Sequence, residues 1–85
     1  MEESELIRRA QEGDSEAFSV LARTHRNSLV QVAYGFLRDK EEALDAAQEV
    51  FLKAYRKIHS FKSESSLYTW LYRITVNHCK DRLRS

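Results

Sequence analysis

Three cations, an asparagine and a tryptophan gather near the end of the chain, and such a set could bind nucleic acid. Arg73, Asn77, Lys80 and Arg84 follow one another at spacings of three and four, and Trp70 precedes Arg73 by three. Lysine and arginine neutralise phosphates, a term that supplies much of the affinity for any nucleic acid. Asparagine can bond a base edge, and a tryptophan can stack on an exposed base for roughly 1–3 kcal/mol. Phe61, just upstream among serines and a lysine, is placed to wall a pocket for an unstacked base. A solvated basic face with a half-buried core tryptophan is the simpler alternative, because charged helix faces are usually only exposed to water. Pattern alone leaves both readings open.

A second group has the opposite sign. On a helical wheel Glu41, Asp45, Gln48, Glu49 and Arg56 lie together, with Leu52 in their midst. An apolar residue inside a polar face can anchor a contact, and acidic neighbours would steer a basic protein surface. An ordinary exposed helix with one stray leucine explains the same pattern.

Helices must carry both groups. The chain has no proline and only two glycines, the residues that most strongly interrupt helices. Residues 3–12 read as a short first helix, with Leu6, Ile7 and Ala10 on one side, stopped by Gly13. Asp14 suits the N-cap of a second helix over 15–37. Its Phe18, Leu21, Ala22, His25, Leu29, Val32, Ala33 and Phe36 form a core stripe at spacings of three and four. A third helix begins at Asp39, with Glu42 three residues on as in a capping box, and runs to about residue 58. Ala43, Ala47, Val50, Phe51, Ala54 and Ile58 share its inner side, and the alanines permit close approach of a neighbour. Residues 59–66 break the pattern as a loop. Ser65 or Ser66 caps a fourth helix over 67–84, with an apolar arc of Leu67, Tyr68, Leu71, Tyr72, Ile74, Thr75, Val76, Cys79 and Leu83. The expected fold is all-α: a compact bundle of about four helices, one short and N-terminal and three longer, forming one domain over residues 1–85.

Charge divides along the chain. Residues 1–55 hold seven Lys/Arg against eleven Asp/Glu, and residues 56–85 hold seven against two, within a net charge of +1. An acidic front and a basic tail fit two different partners. Cys79 is the only cysteine, so no internal disulfide forms, as in a reducing compartment. No run is apolar enough to span a membrane, and the start lacks the features of a signal peptide, so a cytoplasmic setting is expected. The chain ends in a basic helix, which reads as the edge of a larger protein. An enzyme is disfavoured: there is no Gly-rich phosphate loop, paired metal ligands or nucleophile–base arrangement. His25 reads as a satisfied core histidine, His78 lacks partners at zinc-ligand spacing, and Cys79 reads as a small core residue. No cofactor and no metal is expected.

The segment Asp45-Ala46-Ala47-Gln48-Glu49-Val50-Phe51, then Phe61, then Thr69-Trp70-Leu71-Tyr72-Arg73-Ile74-Thr75-Val76-Asn77 resembles region 2 of bacterial extracytoplasmic-function sigma factors. The resemblance covers nearly the whole chain and implies a non-catalytic transcription initiation domain. It implies docking on the clamp helices of the largest core RNA polymerase subunit through Asp45, Gln48 and Glu49, with Leu52 joining by proximity. It also implies binding of the −10 promoter element, mainly as non-template single strand. Phe61, Ser63, Ser65 and Ser66 would line a pocket for a flipped base, while Trp70, Arg73, Asn77 and Lys80 would face the DNA. An anti-sigma factor is an implied further partner and would hold the protein near the membrane. The chain departs from the family where Leu44 replaces a usual acid and where Leu67 replaces a frequent phenylalanine; housekeeping sigma factors carry two adjacent tryptophans where this chain has Trp70 followed by Leu71. A −35-binding domain is absent from these residues.

Two other functions compete. A helix-turn-helix repressor needs a short turn before its recognition helix, whereas about eight residues separate the third and fourth helices here; it would bind duplex operator well. A protein-only adaptor would keep its activity after charge reversal at Arg73 and Lys80.

Overall fold

A computed structural model describes all 85 residues as four α-helices and one 3-10 turn. The helices are α1 (Glu3–Gln11), α2 (Ser15–Leu37), α3 (Lys40–Lys57) and α4 (Leu67–Arg84), and the turn (Ile58–Ser60) follows α3 directly. At 1.5 Å per residue α2 is about 34 Å long, which accounts for the 35 Å long axis of the molecule. It is the spine against which α1, α3 and α4 all pack.

Local chemistry fixes each junction. Gly13 takes φ +101°. The Gly13 N–H donates to Ala10 and the Asp14 N–H to Arg9, the reverse-turn pair that closes many helices. Asp14 then caps α2, its carboxylate accepting from the backbone of Glu16 and Ala17. Asp39 caps α3 through the Glu42 N–H, and Ser66 caps α4 through the Thr69 N–H. Helix α2 runs on through Gly35 and stops at Arg38, whose φ of 59° is left-handed without a glycine. The segment expected as loop over 59–66 is partly ordered, since its first two residues complete the 3-10 turn.

The core has two parts. The larger joins Phe18, Leu21, Leu29, Ile58, Phe61, Leu67 and Leu71. The smaller is a junction of α2, α3 and α4 made from Ala33, Ala43, Ala46 and Cys79, all at 0% exposure. Two residues of the expected apolar arc on α4 lie outside the core: Tyr72 is 42% and Leu83 58% exposed. Three packed helices bury a narrower stripe than the wheel proposes. His25 is largely buried and bonds Glu3 at 2.8 Å.

Because the small-residue junction is fully buried between three helices, overpacking it should be costly. Ala46→Leu is expected to lower stability by about 1–3 kcal/mol in urea unfolding, whereas substitution of exposed Ser19 by Ala should change it little.

Candidate nucleic-acid interface and docking face

On α4, Arg73, Asn77 and Lys80 are exposed. With Phe36, Tyr72 and Val76 they line a shallow depression of about 440 Å³ between α4 and the end of α2. The arginines in ion pairs are Arg8, Arg9, Arg82 and Arg84, and no lysine is in one. Arg73 and Lys80 therefore have no acidic partner, whereas Arg84 is tied to Asp81 at 2.6 Å. Two unpaired cations beside an amide and apolar side chains can take a phosphate backbone with a base edge.

The aromatic and loop residues behave differently. Trp70 is half-buried and packs on the core. Phe61 corrects an expectation: it is 6% exposed, so it belongs to the core and presents almost no surface to a base. Its ring meets Trp70 at 5.3 Å between centroids, tilted by 50°, and so forms a floor beneath the indole. Ser63 is exposed with a left-handed φ of 59°. The Ser65 hydroxyl donates to the Ser66 carbonyl, and the Ser66 hydroxyl is occupied in capping α4.

The four residues expected to dock do not all face one way. Asp45, Gln48 and Leu52 line a groove of about 760 Å³ between α2 and α3, together with Phe18, Leu44 and Tyr55. Leu52 is 55% exposed at its rim. Glu49 instead turns toward α4, where it lines a small polar pocket with Lys53, His78 and Arg82.

Arg82 organises that side and was missed in the sequence. Its guanidinium lies 3.6 Å from Glu42, 3.5 Å from Asp45 and 3.6 Å from Glu49. One signal was available: on a 100° wheel Arg82 falls between Leu71 and Thr75, both fully packed, so its charge had to meet an acid on a neighbouring helix. His78 lies beside it. Its Nδ1 accepts from the Lys53 ammonium at 2.8 Å, which places the proton of the neutral ring on Nε2, 3.9 Å from Glu49. Burial, and then the Lys53 charge, hold the His78 pKa below its ordinary value, with Glu49 opposing. Burial raises the Cys79 thiol, so Cys79 is a packing residue of low reactivity.

These features define a class: a small helical module with an unpaired basic face on one helix and an acidic, apolar-lined groove beside another. The chain belongs to the Sigma-70 region 2 family, whose model matches residues 21–85. It is 40% identical over 82 residues to the RNA polymerase sigma-H factor of Pseudomonas aeruginosa, covering 96% of this chain and 42% of that protein. It is 42% identical over 78 residues to the ECF RNA polymerase sigma-E factor of Haemophilus influenzae, covering 92% of this chain and 41% of the relative. The chain thus spans about two fifths of the length of these curated relatives. An engineered region 2 of sigmaE, solved by NMR in complex with GTAAAA, superposes with a TM-score of 0.92 at 33% identity, covering 99% of this chain and 87% of the other.

The largely buried ring of His78 makes stability depend on pH. In the unfolded chain His78 takes up a proton near pH 6.5, but the folded site resists it. Its contribution is complete above that pH and is lost as pH falls below it. The urea midpoint should drop between pH 7.5 and 5.5, and His78→Gln should flatten that drop; parallel curves for the two proteins would refute the assignment.

Proposed function

We propose that this domain docks on core RNA polymerase and recognises the −10 promoter element, which it helps to open as single strand. The observation that carries this reading is the unpaired Arg73–Asn77–Lys80 face beside an anchored Trp70, in a fold that superposes on a sigmaE region 2 bound to GTAAAA. Arg73 and Lys80 take backbone phosphates, Asn77 reads a base edge, and Trp70 stacks on an unpaired base. Residues 63–66 line the pocket for a flipped non-template base, with Phe61 acting from beneath as support. No bond is made or broken by these groups; binding to the open strand is what favours opening. A helix-turn-helix repressor fits less well, because residues 61–66 intervene between the 3-10 turn and α4.

Docking uses the groove between α2 and α3. Asp45 and Gln48 meet basic and polar groups of the polymerase clamp helices, and Leu52 supplies an apolar anchor. Leu44, where the family often carries an acid, makes this groove more apolar. Glu49 and Asp45 are already near Arg82, so docking is an exchange in which the partner's cations replace one internal guanidinium. An anti-sigma factor that covers the groove or the basic face would block either step, in the cytoplasm or near the membrane.

Asp45→Lys with Glu49→Lys should abolish polymerase capture in a pull-down while the far-ultraviolet circular dichroism stays helical; retained capture would sink the docking assignment. Arg82→Gln should bind polymerase roughly two- to fivefold tighter, since it frees weakly held carboxylates, and weaker binding would contradict the exchange. Asn77→Ala should impair promoter opening more than docking.

A further inference from the structure

Helix α1 precedes the residues matched by the family model, and its last residue makes the chain's longest-range hydrogen bonds. The Gln11 side-chain nitrogen donates to the Phe61 carbonyl at 2.7 Å and to the Ile58 carbonyl at 3.1 Å, across 50 and 47 residues of sequence. Both partners are acceptors only, so both amide protons are used.

Those two carbonyls stand at the entrance to the segment that reaches α4. After the Phe61 N–H closes the 3-10 turn on Ile58, no backbone–backbone hydrogen bond is made by residues 62–65. The segment also holds Ser63 in a left-handed conformation that a residue with a Cβ adopts reluctantly. Polar anchoring therefore comes at two points: the Ser66 cap at the exit and Gln11 at the entrance. Gln11 is itself fixed. It ends a helix stopped by the Gly13 turn, and the adjacent Ala10 is 3% exposed.

We propose that Gln11 is a positioning residue for the proposed −10 contact: α1 sets, through this one amide, the conformation of residues 61–66 that the DNA strand meets. This rests on the −10 reading given above. Gln11 touches no DNA. It acts through the Phe61 carbonyl, which fixes the start of the loop and the floor under Trp70. A strand that binds a preset loop loses less entropy than one that must order it.

The test uses the 85-residue chain with Gln11→Glu, which keeps the shape but removes both donors, and Gln11→Lys, a long donor able to reach the same carbonyls. Hydrogen exchange at residues 61–67 is measured first. Binding to labelled single-stranded GTAAAA and to a randomised strand of the same length follows, and then binding to core polymerase. Gln11→Glu should exchange faster in the loop and bind GTAAAA about five- to tenfold more weakly, with polymerase binding unchanged and Gln11→Lys restoring both. Unchanged loop exchange, or DNA affinity within twofold of the parent, overturns the proposal while leaving the −10 reading intact. Equal losses of DNA and polymerase binding overturn it too, because they mark general unfolding. If the parent chain binds neither strand, the −10 reading fails and this proposal with it.

Discussion

The junction of Ala33, Ala43, Ala46 and Cys79 is the constraint on which both surfaces depend. All four are fully buried, and their small side chains leave short distances between the helix backbones. Arg82, three residues beyond Cys79, is brought by that closeness within 3.6 Å of carboxylates on α3. Larger residues at the seam would move those groups apart. The same seam sets the rotation of α4. With Cys79 turned inward, Arg73, Asn77 and Lys80 come out on another side of the helix and stay free of α3. One packing choice therefore joins the acidic helix to one side of α4 and leaves the other side open.

The electrostatics of those two sides differ in kind. Arg82 is shared among three carboxylates, none closer than 3.5 Å, and each of those acids is about half exposed. Pairs of this type contribute little singly, and they are easily exchanged for another cation. The buried Arg82 Nη1 and His78 Nε2 lack hydrogen-bond partners, although both lie within 4 Å of Glu49. A modest movement of the Glu49 carboxylate changes how well this cluster is satisfied. Arg73 and Lys80, by contrast, lose no internal partner when an anion arrives. In the proposed function, binding at the basic face is then mainly an addition and docking mainly a replacement. Salt screens both.

Much of this could be read from residue order, for identifiable reasons. The bounds of α2 and α4, the caps Asp14, Asp39 and Ser66, and the stop at Gly13 are local matters of backbone donors and side-chain acceptors. The sequence holds all the terms needed to infer them. Arg38 escaped because a non-glycine residue in the left-handed region has no strong compositional sign. The failures at the sites are all tertiary. Arg82 and Glu49 meet only because two helices cross near them, and Gln11 reaches a turn 47 residues away. Tyr72 and Leu83 are exposed because a wheel gives direction without saying how far the neighbouring helices extend.

Phe61 shows how such a failure can inform the mechanism. As an exposed ring beside a flexible loop it would have offered a second stacking surface, at the cost of ordering that ring on each encounter. Buried at 6% exposure and set against Trp70 at 5.3 Å, it packs against the indole in the free domain, and Ile58, Leu67 and Leu71 complete the same cluster. An anchored tryptophan with part of its surface still open loses little rotamer freedom when a base approaches. Stacking of roughly 1–3 kcal/mol is then offset less by ordering, which costs about 0.5–1.5 kcal/mol for each flexible side chain immobilised at an interface. For a domain with one tryptophan at this position, removing that cost is a substantial part of what stacking can contribute. In the proposed function the aromatic pair therefore acts as one preset platform rather than as two independent contacts.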